Sequence, residues 1–329
     1  MKQRRGKPRF WLGLVLLISA VVGACGPTPE VVPPSGIPEL KPVALSAGEK
    51  LNVVATTNIV GDVVHQVGGD RIALTTLMGT GVEPHSWVPT PANMAAIHDA
   101  HVLFVNGAGL ETNLDKILQN SGGNAVVVSL SQGIANLLPE GTSVASVAKP
   151  GRQQEAIDPH VWFDVRNVIA WVKTIEQTLS ALDPANAETY RANAEAYTQQ
   201  LKELDAWVGE QVATIPEANR KLVTNHPAFG YLAKRYGLQQ VGAVYPISPS
   251  SEPSAQDIAV LEDAIRQHGV PAVFTESTVN PNLAEQVAKD TGVKLVSLYT
   301  DSLGGPGSGA ESYVDVIHYD ITAIVDALR

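Results

Sequence analysis

Apolar positions along this chain fall into two alternating rhythms, short unbroken runs and longer stretches in which apolar residues recur every three or four positions, which is the signature of strands alternating with amphipathic helices. Leu51 to Thr56 predicts a strand, and the pattern through Ile59, Val60, Val63, Val64 and Val67, closed by Gly68-Gly69, predicts the helix after it. Ile72 to Leu77 predicts the next strand. The unit returns at long range. Val102-Leu103-Phe104-Val105 leads through Asn113-Leu114 and a helical pattern to Val126-Val127-Val128-Ser129-Leu130, and Ala272-Val273-Phe274-Thr275 leads through Asn282-Leu283 to Leu295-Val296-Ser297-Leu298. A weaker echo pairs Val53-Val54-Ala55-Thr56 with Leu222-Val223-Thr224 and the helix through Phe229, Leu232 and Tyr236. The expected fold is α/β, two related β/α lobes, each a small, mainly parallel sheet with helices on its faces. One long doubly wound sheet is the alternative.

Between the lobes lies the least punctuated part of the chain. Val165 to Leu182 is one helical pattern, broken at Asp183-Pro184, and Ala185 to about Ala213 is a second. Asp183 is the expected N-cap of that second helix, with Pro184 at its first position. A helix of nearly thirty residues is roughly 40 Å long, enough to reach both lobes. A coiled coil is disfavoured because Ala192, Ala196, Leu201, Leu204 and Trp207 fit a heptad only in part. The expected boundaries are an N-terminal α/β lobe over 49–183, a linking helix over 184–214 and a C-terminal α/β lobe over 215–329.

The candidate chemistry sits at the ends of these elements. The stretch Asp158-Pro159-His160-Val161-Trp162-Phe163-Asp164 is echoed 75 residues earlier by Glu83-Pro84-His85-Ser86-Trp87, so acid-Pro-His-x-Trp occurs twice. Proline fixes its own φ and biases the residue before it away from the helical region, which places each histidine on a stiff loop. His226, before Pro227, follows the apolar Leu222-Val223 and stands at the carboxyl end of a predicted strand, where open α/β sheets gather their ligand sites. Asp301 follows the strand Leu295 to Leu298 in the same way. A lone loop histidine is ordinarily a surface residue and a lone loop aspartate a turn former; three Pro-flanked histidines with a carboxylate, two groups from each lobe, converge if the lobes face one another. His65, His98, His101, His268 and His318 fall within or at the ends of helical patterns and are read as structural, His98 and His101 as partners of a helix dipole. Asp164 and Glu276 are candidates for the carboxylates that take the free N–H of a metal-bound imidazole. Asp164 has the alternative of capping the helix from Val165, and Glu276, which aligns with Asn106 in the repeat, that of a surface carboxylate.

The chain's beginning changes where this chemistry takes place. Lys2, Arg4, Arg5, Lys7 and Arg9 precede an apolar stretch over 10–22, and Val22-Gly23-Ala24-Cys25 closes it with small residues. The apolar run is too short for an ordinary membrane span. Residues 1–25 are read as a signal segment, and the position of Cys25 resembles the lipobox of bacterial lipoproteins, in which that cysteine carries the lipid; a plain secretory signal cleaved nearby is the alternative. Residues 26–48, with Pro27, Pro29, Pro33, Pro34, Pro38 and Pro42, are read as a tether. Cys25 is the only cysteine, so no internal disulfide forms and any metal site uses nitrogen and oxygen ligands. Removal of the five positive charges of the leader takes the formal net charge from −10 to −15, which excludes nucleic acid as an expected partner. Gly107-Ala108-Gly109 and Gly304 to Gly309 lack the remaining residues of dinucleotide and phosphate loops, so no nucleotide site is expected.

In these motifs the chain resembles the metal-binding lipoproteins of the cluster A-I family, which deliver zinc or manganese to bacterial ABC importers. The resemblance is carried, in order, by Glu83-Pro84-His85 with Pro89-Thr90-Pro91, by Asp158 to Asp164, by His226 with Ala228-Phe229-Gly230-Tyr231, by Glu252-Pro253-Ser254-Ala255 and by Tyr299-Thr300-Asp301-Ser302-Leu303-Gly304. It implies two lobes joined by a long backbone helix with the metal in the cleft between them, His85, His160, His226 and Asp301 as ligands, a monomer lipid-anchored in the cell envelope, and an ABC permease as partner. Two departures pull apart on the metal. The long His-rich loop of zinc-specific members is missing over 138–157, whereas His226 stands where many manganese members carry Glu. Three nitrogens and one carboxylate suit tetrahedral Zn²⁺, and intrinsic affinity for it exceeds that for Mn²⁺; zinc is the expected ion and manganese the next. The expected role is capture and delivery without catalysis. A secreted zinc hydrolase, with Asp301 or Glu276 as general base, and a receptor for an organic solute are the alternatives, the second weakened by an aromatic content of 5%.

Overall fold

The structure, a computed structural model, describes residues 40–121, 125–139, 156–245, 249 and 252–329. The expected signal segment with Cys25 and most of the tether lie outside the described residues.

The first lobe runs β1 (Leu51–Ala55), α1 (Asn58–Gly68), β2 (Ile72–Thr76), α2 (Pro91–His98), β3 (Val102–Val105), α3 (Thr112–Ser121) and β4 (Val126–Ser129). Two long helices follow, α4 (Val165–Leu182) and α5 (Ala187–Ala213). The second lobe runs β5 (Lys221–Thr224), α6 (Gly230–Tyr236), β6 (Gln239–Ala243), α7 (Ala255–His268), β7 (Ala272–Glu276), α8 (Asn282–Thr291), β8 (Lys294–Leu298) and α9 (Tyr313–Leu328). Every strand pairing is parallel, in the orders β2-β1-β3-β4 and β6-β5-β7-β8, so the second sheet repeats the first strand for strand. The long doubly wound sheet is thereby set aside.

Parallel strands need helical crossovers, which cover both faces and demand apolar side chains on each. Alternate residues accordingly enter different cores. Val54, Leu103 and Val105 pack with Ile97 and Leu114 beneath α2 and α3, while Val223 and Val273 pack with Leu261, Ile265 and Val287 beneath α7 and α8. Their neighbours Val53, Phe104, Leu222 and Phe274 face the other way and join one core with side chains of α1, α4, α5 and α9. Both sheets thus share a single interior, with α4 and α5 running through it.

The break between these helices is where expected but is built differently. Residues 184–186 form a 3₁₀ turn that moves the start of α5 on by three residues, and Asp183 caps no backbone there. Its carboxylate accepts instead from Asn186 Nδ2 at 2.7 Å and from the Tyr190 hydroxyl at 2.8 Å. The buried stripe of α5 is Tyr190, Ala194, Tyr197, Leu201, Leu204, Val208 and Val212, spaced by fours and threes, whereas Ala192 and Ala196 are exposed. The seam is therefore more regular than the alanines suggested, because tyrosines carry its first half. The tether is shorter than expected: Val43 N–H donates to the Leu182 carbonyl at 2.8 Å, and Leu40, Val43 and Leu45 pack on the shared core. Among the described residues no helix is long and apolar enough to cross a membrane.

Candidate metal centre

In an open parallel sheet the ligand crevice lies beyond the carboxyl ends of the strands, where the strand order reverses. In the second lobe that point falls between β5 and β7, and it is occupied by His226, just past β5, and Glu276, the last residue of β7. Glu276 holds this histidine twice. Oε1 accepts from the His226 backbone N–H at 2.9 Å and Oε2 from its Nδ1–H at 2.5 Å, which leaves Nε2 free of a proton donor's duty toward the sheet. Thr300 Oγ1 also donates to Glu276 Oε2, at 3.2 Å.

His160 is oriented by its own turn. Asp158 folds back over Pro159, and its Oδ1 accepts both the His160 backbone N–H at 3.0 Å and Nδ1–H at 2.7 Å. A 3₁₀ turn, Val161–Phe163, then leads into α4. Glu83-Pro84-His85 repeats the backbone half of this device: Glu83 Oε1 accepts from the His85 N–H at 2.7 Å, while Oε2 accepts from the Ser86 N–H and hydroxyl. The acid-Pro-His echo is thus one kind of turn used twice, the acid closing the turn on the histidine amide.

The four expected residues come together. His85 Nε2 lies 3.1 Å from His160 Nε2, which lies 3.0 Å from His226 Nε2. Asp301 Oδ1 is 3.6 Å from His160 Nε2 and Oδ2 is 3.5 Å from His226 Nε2. One donor atom from each lies within 4.8 Å of all the others. Donors set tetrahedrally about a zinc ion at its usual nitrogen distance stand roughly 3.3 Å apart, so the spacing fits an ion at their centre. Both Asp301 oxygens are buried without a hydrogen-bond partner among the described residues. A buried carboxylate left so is costly unless a cation meets it. Asp301, His160 and His226 are buried and His85 is half-buried, so the cluster opens on the His85 side.

Burial and neighbouring charge set the protonation of the four groups in opposite directions. Burial, aided by charge on His226, pulls the His85 imidazole down to about 4, and burial with both neighbouring imidazoles holds His160 well below its usual range. Burial acts downward on His226 as well, but the carboxylates of Glu276 and Asp301 outweigh it and bring the ring up to about 9. Burial pushes Asp301 up to about 7 against the pull of His226. Two neutral imidazoles therefore face one that carries a proton between two carboxylates.

Of the two carboxylates expected behind the histidines, Glu276 is in place and Asp164 is not. Asp164 caps α4, accepting from the Arg166 N–H at 3.0 Å, and pairs with the Arg166 guanidinium at 2.6 Å. The His160 ring is met by Asp158, on the other side in sequence, because the turn closes backward over Pro159. The remaining histidines stand apart from the cluster. His98 lies in the last turn of α2 beside Asp99, but His101 is off the helix, its Nδ1 accepting the Asn52 N–H at 2.8 Å, and the His318 ring packs tilted against Trp207 with centroids 4.2 Å apart. Two buried acids went unread in the sequence, Asp320 of α9 and Glu111. Glu111 fills in the first lobe the crevice that His226 and Glu276 occupy in the second, accepting from Thr56 Oγ1 and the Asn106 N–H at 2.7 Å and from the Gly107 N–H at 3.0 Å.

Two parallel-sheet lobes closing on three imidazoles and a carboxylate define a two-lobed receptor architecture of the metal-binding kind. Residues 53–327 match the family described as zinc-uptake complex component A, periplasmic, and the chain belongs to that family. It is 37% identical over 282 residues to the manganese-binding lipoprotein MntA of Halalkalibacterium halodurans, covering 85% of this chain and 89% of that protein. It is 31% identical over 277 residues to the iron-binding protein YfeA of Yersinia pestis, covering 84% and 86%. Among solved structures, the periplasmic zinc-binding protein TroA of Treponema pallidum superposes with a TM-score of 0.76 at 30% identity, over 85% of this chain and 99% of that one.

Proposed function

We propose that this protein is the extracytoplasmic receptor of an ABC importer, that it captures one divalent transition-metal ion with His85, His160, His226 and Asp301, and that it hands the ion to a membrane permease. The observation that carries the reading is the meeting of four donors from both lobes around a buried carboxylate that has no hydrogen-bond partner among the described residues. Lipid attachment at Cys25 would keep a monomer beside that permease, in the cell envelope. The ion is cargo, and the protein performs no reaction on it: four protein ligands leave no open position for an activated water, which a zinc hydrolase needs.

Zn²⁺ is the ion we favour, because three imidazoles and one carboxylate are its ordinary tetrahedral set. Mn²⁺ is the second reading, favoured by the manganese-binding name of a relative that is 37% identical. Competitive calorimetric titration of the purified chain with Zn²⁺ and Mn²⁺ tests both. The expected outcome is one ion per chain, with His226→Ala weakening binding at least tenfold; the ratio of the two affinities then narrows the cargo, although affinity order alone does not fix biological selectivity. Binding of neither ion, or binding indifferent to His226→Ala, would leave an organic-solute receptor as the better account.

A further inference from the structure

The loop that carries Asp301 is held at both flanks by the segments that carry the three histidines. On one side, Thr300 reaches Glu276, the partner of His226, and the Thr300 carbonyl accepts from Trp162 Nε1, two residues beyond His160, at 3.1 Å. On the other side stands Ser302, which is buried. Its hydroxyl accepts from the Gly81 N–H at 2.8 Å and from Asn58 Nδ2 at 3.0 Å, and donates to the Leu303 carbonyl at 2.9 Å. One donor and two acceptor sites are all a serine hydroxyl has, so Ser302 has nothing left to offer an ion. Asn58, the first residue of α1, returns the contact by accepting the Leu303 N–H on Oδ1 at 3.1 Å. Gly81, at a φ of +76° that side-chain-bearing residues avoid, lies four residues before His85.

We propose that Asn58 and Ser302 form a latch between the lobes that fixes the residence time of the ion, a reading that rests on the metal-capture function above. The latch ties the loop of the half-buried ligand, His85, and the start of α1 to the residue beside Asp301. Opening the cluster on its His85 side breaks these bonds, whereas an ion arriving at the parted loops has not yet formed them. Loss of the latch therefore speeds release and leaves capture nearly unchanged. Asn58 and Ser302 are positioning residues.

The test uses Zn²⁺ alone, released from the purified chain into excess chelator and followed by stopped flow, with Ser302→Ala, Asn58→Ala and the double variant. Each single change is expected to raise the release rate about tenfold, the size of effect that one or two neutral hydrogen bonds produce. The double variant is expected to release faster than either single one but by less than the product of the two effects, since the Asn58–Ser302 bond is common to both changes. The association rate and the stoichiometry of one Zn²⁺ per chain should stay where they are, which separates a latch from a general loss of structure. Asn58 is only half-buried, so its variant keeps the test open if Ser302→Ala folds poorly. Normal Zn²⁺ binding with release within twofold of the unaltered chain would overturn the latch alone; failure of the unaltered chain to bind Zn²⁺ would overturn the capture reading and the latch with it.

Discussion

At the scale of single residues, the site is governed by which atom faces each imidazole from behind. His226 lies between Glu276 and Asp301, and its ring is brought up to about 9. Because this value lies above that of an unfolded histidine, the charged ring stabilises the metal-free fold fully below about pH 6.5 and that contribution disappears as pH rises through about 9. A metal ion on Nε2 must displace the proton. Apparent affinity is therefore expected to climb with pH between 7 and 9 by up to about tenfold per unit, and calorimetry in buffers of different protonation enthalpy should register about one proton released at pH 7.5. The window lies higher than the ordinary histidine range would place it. The two aspartates around His160 give a second contrast. Asp158→Asn is expected to weaken metal binding by about 10- to 100-fold, the usual range for loss of a carboxylate behind a ligand imidazole. Asp164→Asn, at a helix cap that asparagine also serves, should leave affinity within twofold. Equal effects of the two changes on titration would contradict the assignment. Sequence spacing made Asp164 plausible because it lies four residues after His160, and it hid Asp158 because nothing local says that a turn through proline will close backward.

Among the elements, strands and helices were legible where apolar periodicity speaks alone. The runs at Leu51, Val102, Leu222 and Ala272 became β1, β3, β5 and β7, and α4 spans the expected Val165 to Leu182. Legibility failed where a polar residue had to choose between partners: Asp183 had an available backbone and took Tyr190 instead. It failed again where pairing is long-range, since Asn58 and Ser302 are far apart in sequence and Asn58 belongs to no motif. Helix α9 contributes another such choice. Asp320 is buried, its Oδ1 accepts the Tyr299 N–H at 2.9 Å at the root of the Asp301 loop, and its Oδ2 has no hydrogen-bond partner among the described residues. Burial raises this carboxyl well above its ordinary range, with the Tyr299 contact opposing and Glu276 reinforcing the rise. A carboxyl harder to ionise folded than unfolded costs stability increasingly as pH climbs above the unfolded value. Asp320→Asn keeps the acceptor for Tyr299 and removes that cost, so its Tm should exceed that of the unaltered protein by a few degrees at pH 8 and by less at pH 5; a lower Tm at pH 8 would mean that Asp320 is needed ionised.

For the whole molecule, the repeat gives two sheets of the same strand order around one interior, yet the two crevices are finished differently. In the first lobe, Glu111 satisfies Thr56 and the amides of Asn106 and Gly107 from within the chain. In the second, His226 and Glu276 stand at the equivalent place and Asp301 is left to be met by something else. The β1–β3 crevice is closed from within the chain, whereas the four-donor cluster, with His85 and His160 from the first lobe and His226 and Asp301 from the second, is complete only with its ion. Occupancy is accordingly written in loops of both lobes, while the β1–β3 crevice keeps the same contacts full or empty. A permease able to tell a loaded receptor from a spent one has its information where the loop of His85, the half-buried ligand, meets the loop of Asp301.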